Sequence, residues 1–120
     1  MSKYVDAYVI PIKKKNVKAY MKMAALGCKL WMEHGALDYY ECIGEDLNVK
    51  WGLPFPKMCK LKKDETLIFA FVVFKSKKHR VSVNTKVHKD SRMNMEGVKM
   101  PFDMKRFAMG GFEALVYANL

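Results

Sequence analysis

Residues 67–74, Leu-Ile-Phe-Ala-Phe-Val-Val-Phe, form a continuous apolar run and determine the fold that the sequence predicts. The run is too short for a lone buried helix, and its aromatic and β-branched residues favour a strand. Because successive side chains of a strand point to opposite faces, both faces of this strand are apolar. We therefore predict a strand that is buried on both faces.

Upstream of this run, alternating side chains predict another strand over residues 4–10, which we expect Pro11 to end. Small apolar residues occupy one face of this strand, and aromatic or acidic residues occupy the other. The first set is Val5, Ala7 and Val9, and the second set is Tyr4, Asp6 and Tyr8. We assign the small residues to the face that helices cover and the second set to the opposite, open face.

Two helices are predicted. The first begins at Asn16, a suitable N-cap, and ends at Gly35, which suits a left-handed C-terminal position. Its apolar stripe has the spacing of one buried helix face: Val17, Tyr20, Met21, Ala24, Cys28 and Trp31. The second helix is basic, begins after Ser76 and runs to Lys89, with Val83 and Val87 among its few core positions. Asp90 then suits the cap of a further short turn.

Two more strands complete the pattern, over residues 37–43 and 107–116. In the first of these, Tyr39, Glu41 and Ile43 lie on one face, and Tyr40 and Cys42 lie on the other. The second contains Gly110 and Gly111, after a turn that begins at Pro101. Paired glycines inside a strand indicate either a bulge or a place where another backbone or a ligand approaches closely. The bulge is the more ordinary of these two interpretations.

Residues 44–63 break the periodic pattern, with Trp51-Gly52-Leu53-Pro54-Phe55-Pro56 at their centre. An apolar loop of this kind needs cover, so we expect it to pack on its own domain or against a partner. Residues 55–61 are compatible with a short extra strand, which Pro56 would restrict to a sheet edge.

Composition limits the class of protein. The chain has 120 residues, of which 51% are hydrophobic and 28% charged, and we expect it to form one domain, residues 1–120. Cys28, Cys42 and Cys59 lack disulfide or zinc-type spacing, which predicts reduced thiols in the cytoplasm and no metal site. No segment has the length and apolarity of a signal peptide or a membrane span. We therefore expect a soluble protein without membrane association.

The net charge of +10 permits two interpretations. One is an ordinary basic surface, and the other is affinity for RNA or another acidic partner. The lysines are scattered along the chain and lack the glycine and aromatic motifs of an RNA-binding sheet. The basic surface is therefore the favoured interpretation, and the RNA partner remains an alternative.

The order of elements is strand, helix, strand, strand, helix, strand. This order predicts an α+β, ferredoxin-like antiparallel sheet with two helices on one face. The helices would cover only one face, whereas the strand over residues 67–74 is apolar on both. A second copy presenting the same face is the simplest cover, so we expect a homodimer.

Several motifs resemble those of the bacterial family known as domain of unknown function 1428 (DUF1428). They are Tyr4-Val-Asp6, Gly35-Ala-Leu37, Glu41-Cys42, Arg92-Met93, Met100-Pro-Phe-Asp103, Lys105-Arg106 and Gly110-Gly-Phe-Glu113. The resemblance covers nearly the whole chain, and it implies a small dimeric α+β barrel. It implies no established activity.

Three carboxylates, Asp6, Glu41 and Glu113, lie inside predicted strands at positions compatible with the open, dimer-facing side of the sheet. Carboxylates there would need partners, and Lys105 and Arg106 are the nearest candidate counterions in sequence. The charges could instead form structural ion pairs at the dimer interface. The candidate ligand-binding residues are Tyr4, Asp6, Tyr8, Glu41, Asp103, Lys105, Arg106, Met109, Gly110, Gly111 and Glu113.

No catalytic constellation stands out, and we predict no cofactor. His34, His79 and His88 are expected to be surface residues, and Cys42 an inert thiol. The favoured function is binding of a small organic molecule in a pocket on the dimer-facing side of the sheet. The alternatives are a basic module that associates with RNA or another protein, and an enzyme resembling cofactor-independent monooxygenases. Whether the protein is an enzyme is left open.

Overall fold

The computed structural model describes residues 3–118 and contains a four-stranded antiparallel sheet with two long helices packed on one face. The strand order is β2-β3-β1-β4. The elements are β1 (Tyr4–Lys13), a 3-10 turn (Lys14–Asn16), α1 (Val17–Glu33), β2 (Asp38–Ile43), α2 (Phe55–Met58), β3 (Glu65–Phe74), α3 (Lys77–Lys89), a 3-10 turn (Ser91–Met93) and β4 (Ala108–Glu113). Apart from the short α2, this is the βαββαβ order, so the α+β, ferredoxin-like prediction is confirmed.

The core lies between the helices and the sheet and has two parts. In the first, Val72 and Phe74 of β3 pack with Leu30 of α1 and with Val83 and Val87 of α3. The second part joins Ile10 and Ile12 of β1 and Ile68 of β3 to Tyr20 and Ala24 of α1. The stripe predicted for the first helix is therefore confirmed at Tyr20 and Ala24, whereas Met21 is 61% exposed and the buried Leu30 was not predicted. Val83 and Val87 of the second helix are buried as predicted.

The predicted orientation of β1 is wrong. Asp6 pairs with Val72 across the sheet, and Tyr8 pairs with Ala70, so these side chains share the face of β3 that the helices cover. Asp6 is fully buried there. The reason is that α3 supplies Arg80 as a partly buried counterion, which makes an acidic position compatible with the core. Tyr4 alternates with Asp6 and lies on the same face, while Val5, Ala7 and Val9 lie on the other.

The second face of the sheet is open within one chain. Phe69 is 42% exposed and Phe112 is 59% exposed on this face, although both are large apolar residues. The ring of Phe71 stacks on that of Tyr40 at 4.8 Å and also contacts Phe69. The prediction that both faces of this strand are buried is therefore not fulfilled by the chain alone, and the open face remains apolar.

β1 continues through Pro11 to Lys13, beyond the predicted end. Pro11 pairs only with Leu67 of β3, because the ladder between β1 and β4 stops at Val9 and Ala108. Pro11 therefore lies at a local edge, where a missing N–H is tolerated.

The two glycines of β4 do not form a bulge. Gly110 pairs with Ala7 and Gly111 with Asp6 in an unbroken register, so the favoured interpretation of this pair was wrong. Gly111 instead allows the ring of Tyr4 to approach closely: a Cβ there would lie 2.8 Å from Tyr4 Cε1 and closer to its hydroxyl. β4 ends at Glu113, three residues earlier than predicted.

The predicted helix ends are mostly confirmed. Gly35 follows α1 with φ of +111°, a left-handed conformation. The side chain of Ser76 accepts a hydrogen bond from the backbone N–H of His79, and Asp90 accepts one from that of Arg92. Asn16 does not cap α1 with its side chain, because its Nδ2 donates to the carbonyl oxygen of Pro101 at 3.1 Å.

The segment before β3 differs from the prediction. Residues 55–58 form α2 instead of an edge strand, since Pro54 has the extended conformation of an N-cap and Pro56 lies in the first turn, where its missing N–H breaks no hydrogen bond. Trp51 is 87% exposed, so the chain itself does not cover this apolar loop. Cover by a partner remains a prediction.

Candidate functional site

A cavity of about 360 Å³ lies between the helices, the sheet and the segment that connects α3 to β4. Its wall is apolar and aromatic, with few polar groups. The lining residues are Tyr8, Ile10, Tyr20, Met23, Ala24, Leu26, Gly27, Trp31, Tyr39, Glu41, Ala70, Val72, Asn84, His88, Met93, Met95, Met100, Phe102, Phe107 and Met109.

Aromatic rings form two groups along this wall. In the first, which we call the long aromatic row, Tyr20, Phe102, Phe107 and Tyr8 follow one another with ring centroids 5.9, 5.7 and 5.9 Å apart. The second is the Trp31–Tyr39 pair, whose centroids lie 6.1 Å apart. These separations are typical of favourable aromatic contacts, so the rings support one another around the cavity.

Glu41 of β2 joins the two aromatic groups. Its Oε1 accepts a hydrogen bond from the hydroxyl of Tyr20 at 2.6 Å, and its Oε2 accepts one from the hydroxyl of Tyr39 at 2.7 Å. Burial, and then the hydrogen bond to Glu41, raises the pKa of both tyrosines well above the usual value. Both phenols therefore stay protonated and act as donors. Glu41 lies at an exposed position of the edge strand and lines the cavity.

Tyr8 supplies a second polar group to the cavity. Burial, followed by the nearby charge of Asp6, raises the pKa of its hydroxyl to about 12. No residue in the described range 3–118 hydrogen-bonds this hydroxyl. The group is therefore a neutral donor that a bound molecule can use.

A partly buried network of polar side chains lies next to the cavity wall. Arg80 Nε lies 3.0 Å from each carboxylate oxygen of Asp6, and Arg80 Nη2 lies 2.9 Å from Asp6 Oδ1. Asn84 donates to Asp6 Oδ2 at 3.2 Å and accepts a hydrogen bond from Trp31 Nε1 at 2.9 Å. The network therefore fixes Asn84 and Trp31, which both line the cavity.

The segment between α3 and β4 covers the cavity with Met93, Met95 and Met100, flexible thioether side chains that suit an adaptable wall. It is held at its start, where the carboxylate of Asp90 lies 2.9 Å from His34 Nε2 and 2.8 Å from Arg92 Nη2. His34, predicted to be a surface residue, is partly buried and contacts Asp90.

Arg106 holds the other end of the segment. Its Nη1 lies 2.6 Å from Oε2 of Glu65, and its Nη2 donates to the carbonyl oxygens of Cys59 and Lys60 at 3.1 Å. The predicted pairing of Arg106 with Asp6, Glu41 or Glu113 is therefore wrong. Glu65 at the start of β3 is its partner, because the turn over residues 101–106 lies at the opposite end of the sheet from Glu113.

Three of the predicted ligand-binding residues line the cavity, namely Tyr8, Glu41 and Met109. The other predicted residues lie elsewhere. Tyr4 and Asp6 belong to the Arg80 network. Gly110, Gly111 and Glu113 lie along β4. Asp103, Lys105 and Arg106 lie in the turn before β4, where the side chain of Asp103 accepts a hydrogen bond from the backbone N–H of Lys105.

Sequence reasoning missed Tyr20, Tyr39, Trp31 and Asn84 as wall residues. A signal for two of them was present, since Tyr39 alternates with Glu41 on one face of β2 and Tyr20 lies on the sheet-facing stripe of α1.

His79 accepts a hydrogen bond from the backbone N–H of Lys75, and His88 packs its ring against Trp31. Within residues 3–118, no three His, Cys, Asp or Glu residues are grouped as metal ligands.

These features define an α+β protein with a ferredoxin-like sheet and an apolar cavity under its helices. A solved structure of similar fold is that of a dimeric ferredoxin-like protein from an uncultured marine organism, with a TM-score of 0.63 and 10% sequence identity. The match covers 98% of this chain and 100% of that one.

Sequence comparison gives the family. The uncharacterized protein YbaA of Escherichia coli strain K12 is 36% identical over 114 residues, which cover 95% of this chain and 97% of YbaA. YbaA of Shigella flexneri matches to the same extent. The model of DUF1428, a protein of unknown function, matches residues 3–104, and the chain belongs to this family. The resemblance seen in the sequence motifs is thereby confirmed.

Proposed function

We propose that this protein, acting as one domain, binds a small organic molecule in the cavity between its helices and its sheet. The observation that carries the proposal is the combination of an apolar cavity of about 360 Å³ with a Tyr8 hydroxyl that has no hydrogen-bond partner among residues 3–118. Ligand sites typically combine an apolar wall with a few polar groups, at volumes of roughly 300 to 1,000 Å³. The cavity is near the small end of this range, which favours a compact molecule.

The site differs from the predicted pocket in its location. The predicted pocket was on the open face of the sheet, whereas the cavity lies on the helix-covered face. Tyr8 can donate a hydrogen bond to a ligand oxygen or nitrogen, and the apolar wall supplies the larger part of the contact. The methionines of the covering segment can adapt to the shape of the molecule.

We also propose that two copies associate through the open face of the sheet. Phe69, Phe71 and Phe112 form an apolar surface there that water solvates poorly, and such surfaces commonly mark an interface. The ferredoxin-like neighbour is described as dimeric. A second copy offering the same surface would cover it by two-fold symmetry, which supports the homodimer expected from the sequence.

A cytoplasmic location is consistent with the three cysteines, which are all free thiols. No helix within residues 3–118 is long and apolar enough to cross a membrane. We therefore propose a role inside the cell, as a carrier or sensor of the bound molecule.

The test is titration calorimetry of the protein with naphthylethanol, an uncharged aromatic alcohol of suitable size. Ala24 lines the cavity and Ala19 does not, although both lie on α1. We expect Ala24→Phe to fill the cavity and weaken binding by about tenfold or more, whereas Ala19→Phe retains the parent affinity. Circular dichroism confirms that each variant is folded. Equal binding of naphthylethanol by both folded variants contradicts the proposal.

A further inference from the structure

The charge distribution around the cavity is the reverse of that of the chain. The sequence carries 22 Lys and Arg residues against 12 Asp and Glu residues, for a net charge of +10. The cavity wall nevertheless includes no Lys or Arg among the described residues, and Glu41 is its acidic member. The cavity wall therefore differs in charge from the chain as a whole, which is basic.

Glu41 has donors but no counterion. Its two oxygens accept hydrogen bonds from Tyr20 and Tyr39, which are neutral groups, and no Lys, Arg or His within residues 3–118 forms an ion pair with it. Two phenol donors stabilise a carboxylate and orient it, but they leave its negative charge uncompensated. The site therefore retains an attraction for a positive charge.

The two tyrosines that donate to this carboxylate belong to the aromatic groups of the cavity wall. Tyr20 is the end of the long aromatic row, and Tyr39 belongs to the pair with Trp31. The faces of aromatic rings attract cations, and amine-binding sites in proteins commonly combine several rings with a carboxylate. Arg80, which shares Asp6 with the wall residue Asn84, is neutralised by that carboxylate.

We propose that the ligand of this cavity is a cationic organic molecule, with an alkylammonium or quaternary ammonium group beside Glu41 and an apolar body between the aromatic groups. This inference rests on the proposed function and specifies its ligand class. Glu41 is an exposed member of the cavity lining, so an ammonium group beside it keeps part of its hydration while the apolar body is buried. The arrangement avoids the cost of burying a charge completely.

The experiment compares three head groups on one aromatic body. Naphthylethylammonium, naphthylethanol and naphthylacetate are titrated into the 120-residue protein by calorimetry at about pH 8, well above the ordinary pKa of a histidine side chain. We expect the ammonium compound to bind about tenfold more tightly than the alcohol, and the carboxylate compound to bind most weakly. This comparison needs no variant, so it stays decisive if a substitution at Glu41 impairs folding.

Two variants then assign the preference to Glu41. Glu41→Gln removes the charge and is expected to reduce the ammonium preference to within about twofold. Glu113→Gln removes the same charge from an exposed position of β4 that does not line the cavity, and it should retain the preference.

The outcomes separate this inference from the proposed function. Equal or tighter binding of naphthylethanol overturns the cationic ligand but leaves the cavity as a binding site. An ammonium preference that persists in folded Glu41→Gln overturns the role of Glu41. Absence of binding by all three compounds overturns the inference together with the proposed function.

Discussion

Arg80 on α3 reaches across the core to Asp6 on β1, with Arg80 Nη2 2.9 Å from Asp6 Oδ1. Asp6 is fully buried, and Arg80 also lies over the ring of Tyr4 at 5.3 Å. The pair therefore joins the second helix to the centre of the sheet. Because Asn84 shares Asp6 and holds Trp31, the same contact shapes the wall of the cavity.

The first prediction concerns this pair. Arg80→Met leaves the buried carboxylate of Asp6 without its counterion and should lower the free energy of unfolding by about 3 kcal/mol or more. Lys78→Met, an exposed change on the same helix, should stay within about 0.5 kcal/mol of the parent. Urea denaturation at neutral pH measures both. Adding Asp6→Asn to Arg80→Met should recover part of the lost stability. Equal stability of Arg80→Met and Lys78→Met contradicts a structural role for the pair.

The second prediction uses the adjacent glycines of β4. A Cβ at Gly111 would meet the Tyr4 ring at 2.8 Å or less, whereas one at Gly110 would meet the Phe112 ring at 3.6 Å, an ordinary contact. Gly111→Ala should therefore destabilise the protein by about 1 to 3 kcal/mol, the usual effect of overpacking. Gly110→Ala should have a smaller effect in the same thermal denaturation experiment. If the two variants have the same melting temperature, the Tyr4 ring moves aside at little cost in free energy.

The third prediction tests the open face. Phe69→Lys places a charge at the centre of the apolar surface formed with Phe71 and Phe112, and it should convert a dimer to a monomer in sedimentation velocity at micromolar concentration. Val81→Lys is the control, because Val81 is an exposed apolar residue on α3, away from this face. A parent protein that sediments as a monomer contradicts the proposed association.

The elements could be predicted from the sequence, but the face of β1 could not. Periodicity identified the strands and the long helices, because alternation and the three-and-four spacing directly reflect the geometry of each element. The burial of Asp6 depends on Arg80, which is 74 residues away and belongs to a helix with few apolar positions. Without that partner, the assignment of the small residues Val5, Ala7 and Val9 to the helix-covered face placed Asp6 on the wrong face.

The site was partly predictable for a similar reason. Glu41 and Tyr8 were identified because strand alternation put them on the face expected to carry a pocket. Both line the cavity, although it lies on the helix-covered face. The aromatic row that includes Phe102 and Phe107 forms only when the segment after α3 folds back over the sheet. That closure depends on long-range contacts, such as Asn16 with the Pro101 carbonyl, that local sequence patterns do not encode.

The last prediction concerns acid stability and the ion pair between Glu65 and Arg106. The hydrogen bond from Arg106 lowers the pKa of Glu65 below its usual value of 4.5. A carboxyl group whose pKa is lower in the folded state stabilises the protein above its unfolded pKa, and this contribution is lost as the pH falls through the folded value. Glu65→Gln keeps the shape but cannot ionise. The parent should therefore be more stable than Glu65→Gln at neutral pH, and the difference should shrink below about pH 4.5.

Urea denaturation at a series of pH values from about 7 to 3 measures this difference. Glu113→Gln serves as the matched control, because Glu113 is exposed and forms no ion pair within residues 3–118. The difference in free energy of unfolding between Glu113→Gln and the parent should stay constant across the pH series. A difference between parent and Glu65→Gln that does not change with pH would mean that the carboxylate of Glu65 gains nothing from Arg106. The turn over residues 101–106 would then be held by the Cys59 and Lys60 carbonyls and by Asn16 alone.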